Sequence, residues 1–339
     1  VLRLPAFELA EPRTLGEAVA LLTEHGEDAQ LIAGGTDLVP NMKHELFTPR
    51  VVISLAHLAE LRGVRIGPDG LLVIGAMTTL DELAQDPRVV KRAPALAQAA
   101  GLVAGPQLRR MGTLGGNVML DTRCQWYNQT YFWRSALGFC LKKDGTLCHV
   151  VAGGANCVAA ASNDSAPALM SLDGVCVFHG PRGRREIPID ALYTSDGIHN
   201  KNVRGEILVE VRVPPVPGGH RGAYGKLRER GSIDFPLLGV AARVDLDGSG
   251  AVGAAALCAV ALQARPLRLA KAAQALVGTR PGTDGFRSAL GEAGALAEKQ
   301  CRPLENIPGD PEYRHAMVPV YVRRTVQAAV DRSGPVHHI

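Results

Sequence analysis

The chain has 339 residues, 46% of them hydrophobic and 21% charged, with a formal net charge of +4. That length buries more than one core, and a mild positive balance without a long basic run argues against nucleic acid as a partner. No signal peptide and no run of about 18 apolar residues is evident, so a cytoplasmic protein with no membrane contact is expected. Seven cysteines then point to buried or metal-bound thiols rather than a disulfide framework.

In chain order, apolar residues recur at helical spacing over 15–25 (LGEAVALLTEH), and Gly26 is a natural stop. Residues 30–33 (QLIA) read as a short buried strand running into GGTDLVP at 34–40. Two glycines, a hydroxyl and a turn residue after a strand make either a phosphate nest or an ordinary Gly-rich turn. VVISL at 51–55, RGVRI at 62–66 and LLVIGAM at 71–77 are strand-like, the last two joined through GPDG. Thr79 and Glu82 form a capping box that opens a helix over 79–86, and 94–104 reads as another. GTLGGN at 112–117 is a second Gly-rich loop. Two such loops suggest one extended ligand gripped at two places, as an adenine dinucleotide would be.

Between Cys124 and Cys157 lie four of the seven cysteines, Cys124, Cys140, Cys148 and Cys157, and both tryptophans, Trp126 and Trp133. Four thiols within aromatic shielding suit a zinc ion or an iron–sulfur cluster. Structural zinc sites draw ligands as close C-x₂₋₄-C pairs, whereas the spacing here is C-x₁₅-C-x₇-C-x₈-C, which can wrap a larger object. Over residues 122–158, Arg123, Arg134, Lys142 and Lys143 stand against only Asp144, an excess that would offset a thiolate cluster or steer an acidic electron carrier unless the two lysines are merely solvated loop residues. His149 is a conceivable substitute ligand. Cys176 and Cys258 lie in apolar strands and read as core; Cys301 is unassigned.

Residues 162–183 run from a turn containing Asp164 through a short helix to a strand. REIPIDALY at 185–193 reads as a strand and a turn, and GEILVEVRVPP at 205–215 as an alternating strand ended by prolines. GAYGKLRER at 222–230 places Lys226 and Arg228 on one strand face. From about 235 a hairpin turning at DGSG (247–250) is followed by helical patterns over 266–278, 286–301 and 315–332. Strands followed by helices suggest an α+β lobe, with a boundary in PPVPGGH, 214–220. Asp234 is structural or near the ligand, and no Ser–His–Asp or HExxH constellation is present.

LIAGGTDL (31–38), GTLGGN (112–117), NDSAPAL with Asp164, GEILVEVRVP (205–214) and AYGKLRER with Lys226 stand in an order that resembles the flavin-binding subunits of the xanthine oxidase family of molybdenum hydroxylases. The resemblance covers essentially the whole chain. It implies an α+β protein: a two-part FAD-binding domain of the vanillyl alcohol oxidase type over 1–217, divided near residue 60 and carrying an insert at about 122–158, then a C-terminal α+β domain over 218–339. Leu31, Ile32, Ala33, Gly34, Gly35, Thr36, Asp37 and Leu38 would cradle the FAD pyrophosphate. Thr113, Leu114, Gly115, Gly116 and Asn117, with Val103 nearby, would hold the other side. Asp164 would accept from ribityl hydroxyls, Leu208 would pack near the isoalloxazine, and Lys226 would reach its pyrimidine edge unless it is simply a solvated strand lysine.

The insert is similar to that of one branch, the β subunit of 4-hydroxybenzoyl-CoA reductase, and the resemblance makes Cys124, Cys140, Cys148 and Cys157 ligands of a [4Fe–4S] cluster. It implies an electron-transfer subunit without catalytic residues of its own. Its partners would be a large molybdopterin subunit, a small [2Fe–2S] subunit and a ferredoxin-like donor, in a dimer of heterotrimers that dehydroxylates 4-hydroxybenzoyl-CoA. The alternatives are the flavin subunit of an oxidising relative (aldehyde, purine, carbon monoxide or N-heterocycle dehydrogenase) or a free-standing flavin oxidase with a structural zinc.

Overall fold

In the computed structural model, which describes residues 2–337, the first sheet is built by residues 8–54. Its elements are β1 (Glu8–Ala10), α1 (Leu15–His25), β2 (Ala29–Ile32), α2 (Leu38–Lys43) and β3 (Val51–Ser54). β3 lies between β1 and β2 and runs parallel to both. The Thr14 hydroxyl caps α1 by accepting from Glu17 N–H, and Leu15, Ala18, Val19 and Leu22 form the helix's buried stripe. That stripe packs over Val51 and Ile53. β2 ends at Ile32, so residues 33–37 leave the sheet at its C-terminal edge, where ligands of open parallel sheets bind.

A second, five-stranded antiparallel sheet follows. The chain runs β4 (Val64–Ile66), β5 (Leu72–Gly75), α3 (Leu80–Gln85), α4 (Pro87–Arg92), α5 (Pro94–Gly101), α6 (Pro106–Arg109) and α7 (Leu114–Val118). Next come α8 (Tyr131–Leu137) in the cysteine stretch, α9 (Ser165–Ser171), β6 (Val175–Gly180), β7 (Gly183–Pro188), α10 (Ile189–Leu192) and β8 (Ile207–Val213). The strand order is β4-β5-β8-β6-β7. β8 is central and buried on both faces: Leu208, Val211 and Val213 join the core under α3–α9, while Ile207 and Val209 join the core of the first sheet. A bulge opposite Val177 and Phe178 leaves Val209 as the extra residue, which switches the side-chain parity between the two cores. The expected helix over 94–104 stops at Gly101, and Ala104 takes a positive φ of 45°.

The third sheet has the order β12-β11-β10-β9, from β9 (His220–Leu227), β10 (Leu238–Leu246), β11 (Val252–Val260) and β12 (Leu267–Arg268). Every neighbouring pair is antiparallel, and the hairpin between β10 and β11 turns at 247–250 as expected. α11 (Ala270–Gln274), α12 (Asp284–Gln300) and α13 (Pro311–Asp331) complete this unit and share its core. The run 266–278 is therefore only partly helical. Leu267 is drawn into β12 beside Ala259, and a five-residue helix is left. α13 starts earlier than the apolar pattern shows, because Asp310 caps it and Pro311 sits at its first position. No helix among the described residues is long and apolar enough to cross a membrane.

Candidate functional site

A cleft of about 1850 Å³ runs along the first sheet, the helices after β5 and the end of β8. It exceeds the roughly 300–1,000 Å³ of ordinary small-molecule pockets. The loops 33–38 and 112–117 form adjoining walls, and Gly34 explains why they meet. A Cβ there would stand 1.7 Å from the Met111 carbonyl oxygen, so only glycine lets the two backbones touch. Gly35 takes a left-handed φ of 70°. Gly115 is similarly constrained, its absent Cβ falling 2.8 Å from Ala76 O. The second loop is held by Leu80 N–H on Gly112 O (2.9 Å) and Leu114 N–H on Thr78 O (2.9 Å).

Among the described residues, the backbone N–H groups of Gly34, Gly35, Thr36, Asp37 and Leu38 have no protein acceptor. Five consecutive free donors on a cleft wall make a nest for an anion. Across from them, Asn117 Oδ1 accepts from Ser165 N–H (3.0 Å) and Ser165 O–H (2.5 Å), which leaves its Nδ2 donors for the cleft. A dinucleotide pyrophosphate fits this donor set.

Of the expected FAD contacts, Leu31, Ala33 to Leu38, Val103, Thr113, Gly115, Gly116, Asn117, Asp164 and Leu208 all line the cleft. Three do not. Ile32 packs beneath Gly35, and Leu114 is fully buried in the helical core. Lys226 is fully buried behind the wall, and its ammonium donates to Leu102 O (3.0 Å), Asp164 Oδ2 (3.1 Å) and Asp234 O (3.2 Å). All three of its N–H bonds thus end on protein, so it braces the cleft rather than forming its surface. Arg228 shares its face, as the alternation predicts, and pairs with the carboxylate of Asp234, which lines the cleft. Asp164 Oδ1 accepts from Tyr224 O–H at 2.8 Å. Burial pushes the Asp164 carboxyl above its usual range, against the opposing pull of Lys226 and Tyr224.

One wall was invisible in the sequence. The segment 194–206 between α10 and β8 contributes Thr194 and Ile198 to Glu206 to the cleft. There Lys201 Nζ donates to Leu120 O and Asn200 Oδ1, both at 2.9 Å, and Asn200 Nδ2 donates to Asp121 Oδ1 at 2.7 Å. Burial brings Lys201 down to about 8. The only sequence signal was a polar run, HNKNVRGE, between two apolar elements of one sheet.

The cysteine stretch leaves and rejoins this unit at a single bridge: Arg123 and Ala160 exchange two backbone hydrogen bonds of 2.7 Å. Inside it, Cys124, Cys140, Cys148 and Cys157 line one small pocket with Trp126, Tyr127, Lys142 and His149. Burial pushes the Cys124 thiol up to about 12, and the neighbouring Cys157, Cys140 and Cys148 push the same way. Cys148 Sγ accepts from Val151 N–H and Cys157 Sγ from Ala159 N–H, both at 3.4 Å. Trp126 Nε1 is buried with no acceptor. Among the described residues, no three His, Cys, Asp or Glu side chains converge closely enough to hold a single ion. Tetrahedral zinc with Zn–S near 2.3 Å needs sulfurs within about 4 Å of one another, whereas a cubane is ligated by sulfurs set further apart. The His149 ring is fixed by Nε2 against Phe139 O at 2.6 Å.

Of the four basic residues Lys143 is the most exposed, beside Asp144 at 3.7 Å, and the other three do not form an outward patch. Arg134 is 1% exposed and donates to Asp144 (3.2 Å) and to the Glu45 carbonyl (3.0 Å). Lys142 donates to Asp121 (2.8 Å), Thr122 Oγ1 and Gly197 O (both 2.6 Å), and Arg123 pairs with Asp37. Burial of these side chains removes the basis for steering a carrier by them; they are internal struts beside the cysteines. Cys176, Cys258 and Cys301 are buried core residues.

A three-sheet α+β chain with a dinucleotide-sized cleft between two glycine-dependent loops has the form of a flavin-binding subunit. Residues 5–216 match the family described as the FAD binding domain in molybdopterin dehydrogenase, and 223–329 the CO dehydrogenase flavoprotein C-terminal domain. The carbon monoxide dehydrogenase medium chain of Hydrogenophaga pseudoflava is 31% identical over 330 residues, covering 97% of this chain and 98% of that one. The Escherichia coli aldehyde oxidoreductase FAD-binding subunit PaoB is 34% identical over 286 residues, covering 81% and 89%. The solved Hydrogenophaga pseudoflava carbon monoxide dehydrogenase that lacks the Mo-pyranopterin moiety superposes with a TM-score of 0.79 at 31% identity, over 97% of this chain and 99% of that one. The chain belongs to the FAD-binding medium subunits of the xanthine oxidase family of molybdenum hydroxylases.

Proposed function

We propose that this flavin subunit also carries a [4Fe–4S] cluster, ligated by Cys124, Cys140, Cys148 and Cys157, and transfers electrons within a molybdenum hydroxylase complex. The observation that carries the reading is the meeting of four thiols, spread over 34 residues of sequence from Cys124 to Cys157, in one pocket lined by a buried indole N–H without an acceptor. FAD and the cluster, when bound, would supply two-electron and one-electron chemistry respectively.

The chain's own residues would bind and orient the two groups. The amides of Gly34 to Leu38 would take the pyrophosphate, and Thr113, Gly116 and Asn117 would hold the other side. Asp164, kept in place by Tyr224 and Lys226, would accept from ribityl hydroxyls, while Val103 and Leu208 would line the ring site. Lys142 sets a cation against the cysteine pocket and lowers the Cys157 thiol relative to what burial alone would give. The relatives are described as medium chains and FAD-binding subunits. That supports carrying a large molybdopterin subunit and a small [2Fe–2S] subunit over as partners.

The relatives described as carbon monoxide, xanthine and nicotinate dehydrogenases support substrate oxidation by the complex, in preference to the reductive dehydroxylation that the insert suggested. The four-cysteine pocket favours 4-hydroxybenzoyl-CoA reduction with a ferredoxin-like donor as the second reading, because it adds a one-electron port. The test is metal and sulfide analysis of the purified chain, followed by reduction of the purified complex with each substrate class. About four irons and four acid-labile sulfides per chain are expected; one zinc without sulfide would sink the cluster. Cys140→Ser is expected to remove the cluster's electron paramagnetic resonance signal while FAD stays bound.

A further inference from the structure

We infer that Trp126 is a positioning residue for the cluster, its indole N–H donating a hydrogen bond into the four-cysteine pocket and raising the cluster's reduction potential. The inference rests on the cluster reading above. Trp126 lies two residues after Cys124, and both residues line the pocket. The indole Nε1 is buried with no acceptor, although the ring lines the pocket. Indole offers one donor and no acceptor, and a buried donor left unpaired is unfavourable.

The ring is held in place. Trp133 lies 6.2 Å away and His149 5.6 Å away, each tilted against it. The neighbouring Gln125 is tied to the C-terminal unit through its N–H on Asn306 O (2.7 Å) and its side chain on Glu305 O (3.0 Å). A fixed ring, a buried donor and a pocket lined by sulfur leave a cluster sulfide or ligating thiolate as the matching acceptor. Donation to sulfur stabilises the electron-rich reduced form, which moves the potential upward. Trp133 is 37% exposed and is not among the residues that line the pocket, and Trp133→Phe keeps an aromatic ring against Trp126, so that variant provides the internal control.

The test is a redox titration of the complex carrying Trp126→Phe, which keeps an aromatic ring and loses the donor. Retained iron and sulfide, unchanged FAD content and a more negative cluster potential are expected, while Trp133→Phe leaves the potential unchanged. An intact cluster with an unshifted potential in Trp126→Phe would overturn the inference. Should that variant fail to assemble a cluster, the Trp133→Phe complex grown with 15N-indole tryptophan decides the matter, since Trp126 is then its only tryptophan in this chain. Hyperfine coupling of the reduced cluster to that nitrogen is expected, and its absence overturns the donor role. A parent chain free of iron and sulfide would instead defeat the underlying cluster reading.

Discussion

At Gly34 a single hydrogen decides whether the flavin cleft can form. The Gly34→Ala methyl would stand 1.7 Å from the Met111 carbonyl, a backbone atom that cannot swing aside. The two loops must part, so purified Gly34→Ala is expected to lose its flavin absorbance and to unfold with a penalty of about 1–3 kcal/mol or more. Lys226 is the other residue whose worth lies in what it holds. Lys226→Met leaves Asp164 buried without its cation, for which about 3–5 kcal/mol is expected in urea unfolding. Adding Asp164→Asn should recover part of that loss, because the uncompensated charge is gone. Lys201 gives a pH dependence. Burial lowers it from an ordinary 10.5 to about 8, so between those values the unfolded chain holds the proton more often than the folded one. Its contribution to stability therefore rises with pH through that window. In the flavin-free chain, the stability advantage expected for Lys201→Met at pH 7 should shrink steadily as pH climbs from about 8 to 10.5. The glycine loops, Asp164 and the cysteines were legible because backbone contact and sulfur chemistry admit few residue types. The depth of Lys226 was not, since Asp164, Leu102 and Asp234 come to it from other elements.

Elements declared themselves where the signal was local. Thr79 Oγ1 accepts from Glu82 N–H (3.2 Å) and Glu82 returns a bond to Thr79 N–H (2.9 Å), the capping box that the sequence announces. The apolar repeat over 266–278 misled, because its first leucines serve a sheet edge that exists only once β11 is in place. The insert misled in a different way: its charges suggested a steering surface as well as a counter-charge, although the fold turns Arg123, Arg134 and Lys142 inward. Arg134 reaches the carbonyls of His44 and Glu45 just beyond α2, and so ties α8 to the first sheet's unit. Arg134→Met should lower the cost of local opening there by about 1.5–3 kcal/mol, the worth of a hydrogen bond from a charged group. Hydrogen exchange over 130–145 is expected to quicken, with FAD content unchanged.

On the scale of the whole molecule, the insert leaves and rejoins the flavin unit at one bridge and is fastened further by bonds to Asn306, Gly197 and Glu45. Arg123 and Ala160 face each other through paired backbone hydrogen bonds, as the last residues before a hairpin turn do. The apolar cluster around the cysteines is separate from the three large cores. The walls of the flavin cleft come from residues up to Arg123 and from Ser162 onward. With the cores and the cleft walls separate, residues 124–159 can be replaced by Asn-Gly, the dipeptide that closes a two-residue hairpin. The shortened chain would lose Lys142 from Asp121, which still accepts from Asn200, would lose the Lys142 and Cys157 bonds to Gly197, and would keep the Arg123–Asp37 pair. It is expected to fold, to retain FAD at the parent's stoichiometry and to contain no iron. A shortened chain that folds without flavin would show instead that the insert shapes the cleft, through its bonds to Gly197 or through the contacts of Arg134 just beyond α2. Either outcome reads on how the cysteine insert and the flavin cleft are joined. Flavin retention leaves the cysteine insert fastened to a self-sufficient flavin subunit, and flavin loss means that the insert and the cleft fold as one unit.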